Sequence, residues 1–256
     1  MTMSRTVIDL NADLGEGMAT DEALLDLVSS ANVACGAHAG DARTMHDTVR
    51  AAQARGVAIG AHPGFEDRAH FGRRDMHLAP EEAYALVRLQ IDALRTVAHD
   101  AGARVVHVKP HGALYTMAAR DAVLSGAIAR AVHDADPTLV LVGLASSETT
   151  RAGTRAGLAV AHEGFADRRY APDGTLVPRT HAAALLTDVD DAVAQAIALA
   201  TGTPIATLDG APRTIRCDTI CLHGDGPHAI AFAHAIRHAL DAAGLRVAPF
   251  ARMGDT

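Results

Sequence analysis

At 256 residues, with 49% apolar side chains, the chain is long enough to bury the core of one (β/α) barrel domain spanning 1–256. Aromatics make up only 3% and Trp is absent, so the core is expected to pack as layers of Ala, Val, Leu and Ile. A net charge of -7 argues against nucleic acid and anionic membrane as partners, no run approaches roughly 18 apolar residues, and the N-terminus lacks the succession of a signal peptide; a cytoplasmic protein with three reduced cysteines is expected.

In chain order, "TVIDL" is the first short apolar run and is followed by the polar segment "NADLGEG". "ANVAC" leads into "GAHAGD", whose Asp41 stands where a helix cap belongs, ahead of Met45, Val49 and Ala52 at helical spacing. "VAIGA" leads into "HPGFEDRAHFGRR". Pro80 then opens a helix with Ala83, Leu86, Val87, Ile91, Leu94, Val97 and Ala98 on one face, stopped at Gly102. "VVHVK" leads into "PHGALY"; "TLVLVG" and "LAVAH" follow, the latter running into "EGFADRRY". Helical spacing returns in "DVDDAVAQAIALATG", "TLDGAPRTIRC" reads as an excursion, and "TICLH" with "HGDGP" precedes a last helix in "GPHAIAFAHAIRHALDAAG". Seven strands alternating with helices predict a parallel α/β architecture, a seven-stranded and irregular (β/α) barrel, with an open doubly wound sheet as the alternative.

In a parallel barrel all strands end on one rim, so the polar segments that follow them converge there. That rim would gather Asn11, Asp13, Glu16, His38, His62, Lys109, His111, Glu163, His223 and Asp225. One histidine after a strand is usually structural; four on one rim point to a site. Lys109 is the sole lysine, every other basic residue among the 23 Lys and Arg being arginine. A surface cation at this position would follow the chain's habit and be arginine, so the position asks for a compact ammonium. Arg73 and Arg74 suit either a solvated loop or an anion site.

The segments "IDLNADLGEG", "SANVACGAHAGD", "GAHPGFEDRAHFGRR", "VKPHGALY", "FADRRY", "LVPR" and "ICLHGD" together resemble the LamB/YcsF family over nearly the whole chain. Departures are small: Ala37 replaces an aromatic, Thr116 an Asn, and "THAA" after Arg179 a Pro-Gly. The resemblance implies a barrel related to the glycoside hydrolase/deacetylase superfamily. It also implies membership of an ATP-dependent 5-oxoprolinase that opens 5-oxo-L-proline to L-glutamate together with partner subunits B and C. No GxxxxGK[ST] segment is present, so ATP with Mg is expected to be bound mainly through the complex.

On this reading Asp13 or Glu16 is the general base, His38, His62 or His111 moves protons, and Lys109 or an arginine of "FADRR" holds the carboxylate or a phosphorylated intermediate. Asn11, Arg73, Glu163, Arg168, Arg179, His223 and Asp225 complete a substrate-binding set. Two other readings stand beside it. A metal-dependent deacetylase or amidase would use Asp13, His38 and His62 as ligands of a divalent metal; a non-catalytic subunit would only bind the lactam.

Overall fold

The computed structural model describes residues 6–222 and 229–250. The expected strands are present as β1 (Val7–Leu14), β2 (Ser30–Ala34), β3 (Ala58–His62), β4 (Val105–Val108), β5 (Val140–Leu144) and β6 (Val160–Phe165). A two-stranded antiparallel hairpin, β7 (Ile205–Ala206) and β8 (Pro212–Arg213), falls in and beside the excursion, and β9 (Thr219–Leu222) follows it. Strands β1 to β6 pair in sequence, and β9 pairs in parallel with both β6 and β1, so seven parallel strands close into a barrel. The open-sheet alternative is thereby set aside. A strand not read from the sequence, β10 (Arg246–Val247), joins the start of β1 at Val7 and Ile8.

Helices α1 (Asp21–Leu25), α2 (Ala42–Ala54), α3 (Pro80–Asp100), α4 (Gly112–Ala118), α5 (Ala122–Ala135), α6 (Glu148–Arg155), α7 (Val189–Thr201) and α8 (Ala229–Ala242) cover the outside. Asp41 caps α2, its carboxylate accepting the Thr44 N–H at 2.8 Å. α3 starts at Pro80 as its sequence requires and buries Ala83, Val87, Ile91, Leu94 and Ala98, with Leu86 and Val97 at the edge of that stripe. Each such large aliphatic side chain contributes about 1.5–3 kcal/mol by leaving water.

The aliphatic layers lie between sheet and helices, while the axis of the barrel is polar. Along β1 the pattern alternates: Ile8, Leu10, Ala12 and Leu14 join the hydrophobic core, whereas Asp9, Asn11 and Asp13 are buried polar residues. Those three meet side chains of the adjacent strands β2 and β9 and, from further round the barrel, Glu163 of β6. Asp9 accepts from Ser29 and Ser30 at 2.7 and 2.6 Å and from Thr219. Asn11 Nδ2 donates to Thr219 Oγ1 at 2.6 Å and to Glu163 Oε1 at 3.0 Å. Asn32 Nδ2 donates to Asn11 Oδ1 at 2.8 Å and Asp13 Oδ1 at 2.9 Å, and its Oδ1 accepts from His107 Nε2 at 2.8 Å. A column of polar groups this deep is tolerated because its members hydrogen-bond one another. It forms a rigid floor under the C-terminal mouth.

Candidate active site

Lys109, directly after β4, sits on that floor with its side chain 2% exposed. Its Nζ lies 2.9 Å from Asp13 Oδ1, 2.8 Å from Glu163 Oε1, 3.2 Å from Asn11 Oδ1 and 3.1 Å from Cys221 Sγ. Burial alone would discharge the ammonium. The Asp13 and Glu163 carboxylates hold it instead well above the ordinary lysine range. The same burial pushes the Cys221 thiol up, against the opposing pull of Lys109. All three cysteines are buried, and none forms a disulfide.

Above the floor stand three imidazoles. His62 Nδ1 is 2.7 Å from the Lys109 carbonyl and His111 Nε2 is 2.9 Å from the Phe71 carbonyl. A carbonyl only accepts, so each of these nitrogens carries a proton. In the neutral rings the remaining nitrogens, His62 Nε2 and His111 Nδ1, therefore present lone pairs, and they face each other at 2.9 Å. Asp13 Oδ2 lies 3.2 Å from His62 Nε2, and Glu16 Oε1 lies 3.5 Å from His111 Nδ1 and 3.3 Å from His38 Nε2. His38 and His111 stack with centroids 3.7 Å apart and planes 3° from parallel. Burial, and then the neighbouring His62, lowers His38 to about 3; burial with His62 and His38 pushes His111 well below the imidazole range. Both rings are thus kept neutral.

Loops hold these rings by side-chain anchors on the outer helices. Gln90 of α3 donates to the Gly64 carbonyl at 2.8 Å and accepts the Gly64 N–H at 3.0 Å, pinning the segment after β3. Gln195 of α7 donates to the Phe165 and Arg168 carbonyls at 2.8 and 2.7 Å, pinning the segment after β6. Gly112 lies at φ +55, and a Cβ there would stand 2.5 Å from the Gly72 carbonyl oxygen, so only glycine lets the loop carrying His111 close on the loop carrying Phe71.

A cavity of about 760 Å³ opens over this floor, and Asp13, His62, Lys109 and His111 line it. Arg73, Arg168 and Arg179 line its outer wall. Of the residues singled out in the sequence, Asn11 and Glu163 lie in the polar column beneath, and Glu16 and His38 stand beside His111. His223 and Asp225 lie outside the described residues. Three contributors were not singled out for the site: Asn32, which bridges Asn11 and Asp13; Cys221, against Lys109; and Tyr115, a buried cavity-lining ring edge-on to Phe165. A polar residue inside an apolar strand was the available signal for Asn32.

The donor set also fits a divalent cation. Ligand atoms of Glu16, His38, His62 and His111 all lie within 4.8 Å of one another, and two of the nitrogens are the converging lone pairs just described. His38 Nδ1, buried, has no hydrogen-bond partner among the described residues, so that ring is not held by a protein acceptor on its far side. Nitrogen and carboxylate donors in this number suit a first-row divalent ion. The group shares His38 and His62 with the ligand set expected from sequence, and has Glu16 and His111 where that set has Asp13.

The chain is similar to known proteins along nearly its whole length. The A subunit of 5-oxoprolinase from Methylococcus capsulatus is 55% identical over 251 residues, 96% of this chain and 96% of that one. The corresponding A subunit from Erwinia tasmaniensis is 53% identical over 240 residues, 94% and 98% of the two chains. The crystal structure of a lactam utilization protein from Thermus thermophilus has a TM-score of 0.88 at 43% identity, covering 94% of this chain and 99% of that one. A family 4 carbohydrate esterase from Streptomyces lividans, 12% identical with a TM-score of 0.51, shares the fold over 98% of this chain and 96% of its own. The sequence profile of the LamB/YcsF family matches residues 8–255, and with relatives this similar along nearly the whole length, the chain belongs to the LamB/YcsF family.

Proposed function

We propose that this chain is the lactam-handling subunit of an ATP-dependent 5-oxoprolinase, working with partner subunits B and C to convert 5-oxo-L-proline to L-glutamate. The observation that carries the reading is the cavity floor, where Asp13, His62, Lys109 and His111 meet in one buried cluster at the barrel mouth, in a chain 53–55% identical to proteins named as the A subunit of 5-oxoprolinase.

The five-membered lactam is an unstrained, resonance-stabilised amide, and it resists water. A phosphoryl group from ATP on its oxygen makes the ring carbon an imidate carbon that accepts water; the ring C–N bond then breaks to leave an acyl phosphate, and a second water splits that into glutamate and inorganic phosphate. The chain supplies positioning and proton transfer for those steps. Asp13, held by Asn32 and Lys109, faces the cavity with a fixed carboxylate and serves as the base toward water. His62 and His111, their outer protons fixed by backbone carbonyls, pass a proton toward the departing ring nitrogen. Lys109 supplies the cation paired with Asp13. Asn11 and Glu163 hold Lys109 in place. A divalent ion held by Glu16, His38, His62 and His111 would add Lewis-acid polarisation or a water of lowered pKa.

The same four-residue group favours a second reading, a metal-dependent amidase or deacetylase acting without ATP. One assay separates the two: glutamate release from 5-oxoproline by the purified chain, and by the chain with subunits B and C and Mg-ATP. The expected outcome is release only in the full mixture. Steady ATP-independent release by the chain alone would replace the first reading with the second, and saturable lactam binding with no dependence of complex turnover on Asp13 or His62 would leave a non-catalytic binding subunit.

A further inference from the structure

We propose that the outer wall of the cavity, built by Arg73, Arg168 and Arg179, is a phosphoryl-binding subsite separate from the Asp13–Lys109 floor; this rests on the lactam reading above and assigns the two ends of one cavity to two different groups. The cavity of about 760 Å³ is far larger than a five-membered lactam needs.

Arg168 carries the argument. It is 5% exposed and lines the cavity. Its Nη2 donates to the Val177 carbonyl at 2.7 Å, yet its Nε–H is buried with no partner among the described residues. A buried guanidinium donor left without an acceptor is costly unless a ligand supplies one. Burial and the nearby Arg179 guanidinium lower Arg168 to about 10, against the opposing pull of Asp167 and Tyr170, so like charges are crowded on this wall. Arg73 approaches from the segment after β3 with its guanidinium 4.9 Å from the Phe71 ring centroid, and Asp75 also lines the cavity.

Charge separates the two ends. Lys109 has two carboxylates within 3 Å and little charge left for a substrate anion. The wall has three guanidiniums from two rim segments, Arg73 after β3 and Arg168 with Arg179 after β6. A carboxylate engages one guanidinium face to face, while a tetrahedral dianion presents oxygens in several directions and suits donors converging from several sides. A phosphoryl group fits this wall better than the substrate carboxylate.

The test is calorimetric titration of the full chain with inorganic phosphate, and separately with 5-oxoproline. Arg179 and Arg73 are exposed, so Arg179→Gln and Arg73→Gln keep the fold even if Arg168→Gln does not. Phosphate affinity is expected to fall at least about tenfold in each variant, the loss of one charge-assisted contact, while 5-oxoproline affinity changes less than about threefold. Saturable phosphate binding that is unchanged in Arg179→Gln and Arg73→Gln, or no saturable binding at all, overturns the assignment. So does phosphate displaced by 5-oxoproline but not by 2-pyrrolidinone, which lacks the carboxylate. If phosphate binds through the arginines and 5-oxoproline does not bind in any arm, the lactam reading fails while the subsite stands.

Discussion

Lys109 Nζ stands 2.8 Å from Glu163 Oε1, a pair joining the ends of β4 and β6 across a barrel whose interior they help to fill. With Asp13 at 2.9 Å the ammonium has two carboxylate partners, and Glu163 is fully buried. The lone lysine therefore neutralises a buried acidic pair from below the cavity. An arginine at this position would bring a longer, planar group into space already filled by Asn11 and Cys221.

Lys109→Met is accordingly expected to lower both stability and turnover. Removing one partner of a buried pair strands the other charges, at about 3–5 kcal/mol. Turnover of the reconstituted complex should fall by at least about 10²-fold, because Asp13 loses the ammonium paired with it at 2.9 Å. Lys109→Arg should do little better. Adding Glu163→Gln to Lys109→Met should recover part of the stability and none of the turnover, as read by thermal unfolding and glutamate release. Near wild-type turnover in Lys109→Arg would show that the compact ammonium is not required.

This burial marks the boundary of what the sequence could reveal. The seven barrel strands and the helices after Asp41 and Pro80 were legible because apolar spacing, capping and proline placement act locally. The site segments were legible because each follows a strand. The polar axis was not, since "IDLNADL" has the period of any strand with one polar face, and nothing in it says that this face points into the barrel. Nor could spacing show that His111 closes on His62, a relation made by two loops pinned through Gln90 and Gly112. β10 is two residues long and carries no pattern.

Gly60 offers a test of that packed axis. It pairs in register with His107 on the neighbouring strand, and a Cβ at Gly60 would fall within the His107 ring. His107 in turn positions Asn32, and through it Asn11 and Asp13. Gly60→Ala is expected to cost several kcal/mol, at least the ~1–3 kcal/mol typical of overpacking. Gly126→Ala, in α5 with open space around it, should instead raise stability by about 0.4–1 kcal/mol. Equal thermal midpoints for the two variants would contradict the close approach.

Asp9 gives a pH dependence of stability. Full burial raises its carboxyl to about 6, against the lowering effect of hydroxyl donors from Ser30, Thr219 and Ser29. The folded state therefore holds a proton that the unfolded chain, near 3.8, has lost. Its contribution is complete below pH 3.8 and is lost as pH rises through about 6. The shift corresponds to about 3 kcal/mol at neutral pH. Asp9→Asn should thus flatten this part of the profile between pH 4 and 6, measured by denaturant unfolding at each pH relative to wild type. An unchanged slope would mean that Asp9 is ionised in the folded protein at no cost.

The converging imidazoles yield the last prediction. Two ring lone pairs 2.9 Å apart repel unless a proton or a metal cation lies between them, and the backbone carbonyls of Lys109 and Phe71 bar both rings from turning their protonated nitrogens inward. If a cation fills that role, purified protein should hold about one divalent ion per chain, removable by a chelator. The four-residue group places Glu16 and His111 among its ligands. Elemental analysis should then find the ion lost in Glu16→Gln and His111→Ala and retained in Asp13→Asn, whose carboxylate is engaged by Lys109 and Asn32. The reverse pattern, loss in Asp13→Asn and retention in Glu16→Gln, would assign the ion to Asp13, His38 and His62. Protein that holds no ion yet is fully active after reconstitution would leave a shared proton between His62 and His111, and the pair would then act in acid–base transfer alone.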